Sequence, residues 1–148
     1  MARLPLRWLP LAAGVLLPLL APGCGSAKVY PVEGDVVFPD GTPLRGGLVI
    51  FEPKAAEGEV SLTGSRGEID QNGHFRMTTF KRGDGALAGV NRVLIAPPSS
   101  GKDPERERIP EVIDPKYRKF ETSGLEFTVT SDRKKNYLKI VVEPPPRR

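Results

Sequence analysis

Sixteen prolines and sixteen glycines are spread along the whole length of this 148-residue chain. Helix breakers and turn formers at that density restrict the chain to many short elements, and their even spread marks no single disordered block. Between them, apolar residues recur at every second position, the period of a half-buried strand. Punctuation and period together predict an all-β fold.

Val32, Val36 and Phe38 share one face of Tyr30 to Phe38, with Glu33 and Asp35 on the other. Pro39-Asp40-Gly41-Thr42-Pro43 turns the chain into a second strand, Gly47 to Glu52, which Pro53 ends because proline lacks the ladder N–H. Ser61 to Ile69 reads as a weaker third strand. Asp70-Gln71-Asn72-Gly73 is a hairpin turn, in which aspartate and asparagine bond nearby backbone and glycine accepts a positive φ. His74 to Thr79 follows, with Phe75 and Met77 inward and His74, Arg76 and Thr78 outward. A glycine-rich loop, Lys81 to Gly89, leads into Val90 to Ala96, and Pro97-Pro98 stops that strand.

Ser99 to Ser123, with Pro104, Pro110 and Pro115, is the longest irregular piece and is placed to cover a sheet edge or carry recognition. Asp103-Pro104-Glu105 could open one helical turn there, which Pro110 would end. Leu125, Phe127 and Val129 alternate with polar residues in a sixth strand, as do Leu138, Ile140 and Val142 in a seventh. Ser131 to Asn136 joins them. Seven strands at this spacing predict a seven-stranded antiparallel two-sheet sandwich, with Phe38, Ile50, Phe75, Phe127 and Ile140 in its core.

Val32-Glu33-Gly34-Asp35-Val36, Asp40-Gly41-Thr42-Pro43-Leu44, Gly47-Leu48-Val49-Ile50-Phe51 and Asp70-Gln71-Asn72-Gly73-His74-Phe75 occur in this order. The series resembles the carboxypeptidase regulatory-like, or transthyretin-like, domain of Ig-like architecture. More narrowly, the chain is similar to short bacterial lipoproteins that carry one such domain a few residues after a lipidated cysteine. The resemblance covers Val29 to Glu143. Where that group commonly has glycine, a polar residue and tyrosine, this chain has Gly89-Val90-Asn91, so the tyrosine's buried hydroxyl contact is lost. These motifs are turn chemistry and core pattern, which specify architecture and leave activity open.

The N-terminal segment adds a location. Arg3 and Arg7 precede an apolar run from Leu9 to Ala21, and Cys24, the only cysteine, follows directly. A charged start, a short apolar stretch and small residues before the exit describe an export signal over residues 1–23, too short and too proline-broken to remain as a spanning helix. A lone thiol forms no disulfide within its own chain. Leu20-Ala21-Pro22-Gly23-Cys24 resembles a bacterial lipobox, which implies lipidation of Cys24 and a short tether, residues 24–28, ahead of the domain. The alternative is ordinary cleavage after Ala21 or Gly23, leaving a soluble protein. With lipidation, the expectation is an exported protein anchored in the cell envelope, on its periplasmic or surface face.

Removal of the leader leaves about 125 residues, enough for one domain, here 29–143, followed by a Pro/Arg tail at 144–148. The whole chain carries +4, and without Arg3 and Arg7 the surplus is +2, too weak to argue for nucleic acid. His74 is the only histidine, which excludes the usual two-histidine zinc sites. It falls on an exposed strand face. Hydroxyisourate hydrolases of transthyretin-like fold use several histidines and a tyrosine-arginine-glycine-serine ending, and this chain has neither. Counted from Asp70 as a calcium loop, the twelfth position is Lys81 and not a bidentate glutamate. Gly83 to Gly89 lacks the Lys-Ser/Thr pair and the following helix of a phosphate loop. No catalytic constellation, metal site or cofactor is expected.

The favoured expectation is therefore a non-catalytic, lipid-anchored envelope module that binds a protein or glycan partner or fills a structural role. The alternative is a periplasmic small-ligand carrier or hydrolase of transthyretin-like fold. If the strands alternate in direction, the second-to-third, fourth-to-fifth and sixth-to-seventh loops share an end with the N-terminus. Lys81, Arg82, Arg133, Lys134 and Lys135 then form basic loops facing the membrane, and the opposite end faces the partner.

Overall fold

The computed structural model describes residues 28–54, 63–97 and 112–147. Strands dominate: β1 (Val29–Tyr30), β2 (Glu33–Val37), β3 (Leu48–Pro53), β4 (Ser65–Glu68), β5 (His74–Arg76), β6 (Ala86–Leu87), β7 (Gly89–Ala96), β8 (Leu125–Val129) and β9 (Tyr137–Val141). Helical structure among the described residues is limited to α1 (Phe120–Ser123) and to 3-10 turns at Pro115–Arg118 and Arg133–Lys135. The described residues form an all-β fold.

Three sheets form, in the orders β5-β2-β9, β4-β3-β7-β8 and β1-β6. Each of the seven expected segments overlaps an observed strand, with β3 running through Pro53 and not ending before it, and β1 and β6 bring the number to nine among the described residues. Pro31 explains the first addition: without an N–H it interrupts the expected Tyr30 to Phe38 strand. Val29 and Tyr30 instead pair with Leu87 and Ala86, inside what was expected to be a plain glycine-rich loop.

The all-antiparallel expectation needs correction, because β2 pairs antiparallel with β5 but parallel with β9. Strands that alternate in direction leave the first and seventh pointing the same way, and here those two are neighbours.

One hydrophobic cluster draws on both large sheets. Val36, Phe75 and Ile140 enter it from one, and Val49, Phe51, Val93, Ile95 and Val129 from the other. Phe75 and Ile140 are buried as expected, and Phe127 and Phe38 are half-buried against the cluster. Phe127 packs on Phe51 with ring centroids 5.9 Å apart. Ile50 is not a core residue: Val49 and Phe51 are fully buried, and Ile50 is half-exposed on the other face. Leu48 to Phe51 is apolar at every position, so its alternation carries no face information, and pairing with β4 and β7 selects the face. Asn91 is fully buried, and its side-chain amide donates to the Leu87 and Gly89 carbonyls at 3.0 and 2.9 Å.

The expected turn at Asp103-Pro104-Glu105 lies outside the described residues. The described part of the long irregular piece packs closely: Ile113 and Tyr117 are buried in the cluster, and the Ser123 hydroxyl donates to the Val93 carbonyl at 2.5 Å.

Candidate functional site

Strand registers define the two ends of the molecule. Glu33, first in β2, lies opposite Arg76, last in β5, and beside Tyr137, first in β9. On the other large sheet, Gly89, first in β7, lies opposite Val129, last in β8. Backbone bonds gather these termini at one end: Met77 N–H to Val32 O at 2.9 Å, Gly85 N–H to Met77 O at 3.1 Å, and Ala88 N–H to Lys28 O at 2.9 Å. Glu33 N–H reaches Asn136 O at 3.2 Å. Lys28, where the described chain begins, therefore shares an end with the 77–85 and 130–136 loops. The Asp70–Gly73 turn lies at the other end, where Val36 N–H donates to Gly73 O at 2.8 Å.

The 77–85 loop is held from within. Asp84 turns its carboxylate back to accept the N–H groups of Thr79, Phe80 and Lys81 at 2.7, 3.0 and 2.8 Å. Desolvation pushes the Asp84 carboxyl up, but these backbone donors outweigh it and hold the group below its ordinary range. The Thr79 hydroxyl donates to Gly85 O at 2.8 Å, and the Thr78 hydroxyl accepts from Gly83 N–H at 2.9 Å. Gly85, at φ 112°, lies so close to the Tyr30 carbonyl that no side chain fits. Lys81 and Arg82 are exposed at the tip.

The 130–136 loop is closed by Asn136, which is buried. Its side-chain oxygen accepts from Thr130 N–H at 3.0 Å and its amide donates to Thr130 O at 2.8 Å. Asp132 accepts from Lys134 N–H at 3.1 Å, forming the turn that projects Arg133, Lys134 and Lys135 into solvent. Glu33 links the end of β5 to the 130–136 loop electrostatically, with Arg76 at 3.0 Å and Arg133 at 4.0 Å from its Oε1. The five basic residues singled out from the sequence thus occur on two loops at one end. Cys24 lies outside the described residues.

The same end carries a residue that sequence reasoning passed over. Phe80 is 62 % exposed, the most exposed of the large hydrophobic residues described. Its signal was an aromatic residue directly before Lys81-Arg82, beyond the last residue of the alternating pattern.

His74 lies half-exposed on the outer face of the three-stranded sheet, in line with its pattern position. Its Nδ1 is 3.1 Å from Asp35, and its Nε2 is 3.9 Å from Glu33. The Tyr137 hydroxyl donates to Asp35 from the neighbouring strand. That bond is the main influence holding the Asp35 carboxyl below its ordinary range, against desolvation and with help from His74. This cluster ties β5, β2 and β9 together across their outer face. Among the described residues, no group of three or more His, Cys, Asp or Glu side chains is arranged to hold a metal ion, and no helix is long and apolar enough to cross a membrane. No family model, curated protein or solved structure matches the chain.

Proposed function

We propose that this protein is a non-catalytic module tethered through Cys24 to a membrane of the cell envelope, its two large sheets packed as a transthyretin-like sandwich. Its basic end rests on lipid headgroups, and its opposite end meets a protein or glycan partner. The observation that carries this reading is the shared position of Lys28, the Lys81-Arg82 loop and the Arg133–Lys135 turn at one end of the fold.

From Cys24 to Val29 the chain spans at most about 18 Å, at 3.3–3.6 Å per residue. A lipid on Cys24 would therefore keep the basic end close to the bilayer. Charges interact there within a screening length of about 8–10 Å, and each basic residue near an anionic surface contributes roughly 1 kcal/mol. Such contacts set which end faces the membrane, and the lipid supplies the retention.

The test is Cys24→Ser in the producing cell. The variant should move from the membrane fraction to the soluble one and lose labelling by a fatty-acid probe. Membrane fractionation of the parent without any label would rule the tether out.

A further inference from the structure

We propose that Phe80 is an interfacial anchor whose ring inserts at the headgroup boundary of an anionic bilayer. This inference rests on the membrane-tethered reading above and adds to it a residue that enters the lipid.

The exposure of Phe80 is built into the loop. Its own N–H is fixed by Asp84, and the residues on either side, Thr79 and Lys81, are held by the same carboxylate. Gly83 and Gly85 close the loop with positive φ, and the bond from Thr79 to Gly85 O braces its base. The ring is thus presented at 62 % exposure by an ordered turn. A phenylalanine ring held in water gains free energy from an apolar surface that receives it.

The surroundings identify that surface by its charge. Lys81 and Arg82 follow the ring directly, and the Arg76 side chain runs beside Gly83. Arg133, Lys134 and Lys135 project from the neighbouring loop. Asp84, the acid of the Phe80 loop, turns its carboxylate onto three N–H groups of the loop, and Lys81 and Arg82 outnumber it, so the loop's net charge is positive. An aromatic residue among cations, at the end where residues 1–27 join the domain, matches an anionic lipid surface, with the ring below the headgroups and the cations among them.

Trp8, the single tryptophan of the chain, lies in the leader that processing at Cys24 removes, so the lipidated mature protein is itself a silent background for an added indole. In that background, Phe80→Trp and Lys134→Trp are each reconstituted into vesicles of phosphatidylcholine and phosphatidylglycerol. One set of vesicles carries bromines high on the acyl chains and another carries a nitroxide on the headgroup. Both variants must first match the thermal unfolding midpoint of the background protein. The expected result is that the indole at position 80 shifts to shorter emission wavelength and is quenched by the acyl bromines, while the indole at position 134 is quenched by the headgroup nitroxide. Headgroup quenching at 134 without bromine quenching at 80 overturns the Phe80 anchor and leaves the basic-end orientation standing. Absence of quenching at both positions overturns the orientation and the anchor together.

Discussion

Gly34 faces the backbone carbonyl of Leu138 across the parallel β2–β9 pair, so closely that no side-chain atom fits between them. The ring tip of Phe75 approaches the same space, 2.8 Å from where a Cβ would stand. The joining of the first and last long strands therefore depends on a missing side chain. Gly34→Ala should cost about 3 kcal/mol, near the upper end for overpacking, measured by urea denaturation. A change below about 0.5 kcal/mol would mean that β9 packs differently against β2.

The core makes a graded prediction. Phe75→Ala should cost roughly 3–5 kcal/mol, and the half-exposed Ile50→Ala distinctly less, about 1–2 kcal/mol. His74→Ala should fall below about 1 kcal/mol, since it removes one partly exposed polar contact. Equal losses at Ile50 and Phe75 would place the wrong face of β3 in the core.

Tyr137 and Asp35 shift each other in opposite senses. The Asp35 carboxyl is held below its ordinary 3.8, chiefly by the Tyr137 hydroxyl, and the Tyr137 phenol is raised above 10.0, chiefly by Asp35. A lowered acid stabilises the fold above its unfolded pKa, and the benefit disappears as pH falls through the folded value. A raised phenol stabilises below its unfolded pKa, and the benefit disappears as pH rises through the folded value. The stability difference between the parent and Tyr137→Phe should form a plateau from about pH 4 to about pH 10 and shrink on both sides. A flat difference on the acid side, measured by denaturation at pH 2 to 7, would remove Asp35 from the pair.

Asp84 organises its loop locally. Asp84→Ala should raise amide hydrogen exchange at Thr79, Phe80 and Lys81 by about tenfold or more, while the β2 and β9 amides stay protected. Unchanged exchange at these three amides would show that Asp84 does not hold the loop.

Neutralising Lys81, Arg82, Arg133, Lys134 and Lys135 together should weaken binding of the unlipidated domain to anionic vesicles by at least about a hundredfold at low salt, given roughly 1 kcal/mol per residue. Binding of the parent should fall steeply as salt rises. Salt-independent binding, or no loss on neutralisation, would return these side chains to simple solvation of the loops.

Local order was legible in the chain itself. Phe75 and Met77 point inward and His74 and Arg76 outward because a strand's period of two acts within each segment, and Asp70 to Gly73 turns because its side chains bond backbone two and four residues ahead. Even the common end of the basic loops followed from counting alternating strands. Tertiary structure decided what no single segment encodes. The face of β3 came from its partners, because Leu48 to Phe51 is apolar on both sides. The parallel β2–β9 pair came from two segments about a hundred residues apart meeting over Gly34. The exposure of Phe80 came from Asp84 turning back to hold three N–H groups of its loop, a contact between side chain and backbone that fixes the ring outside the core.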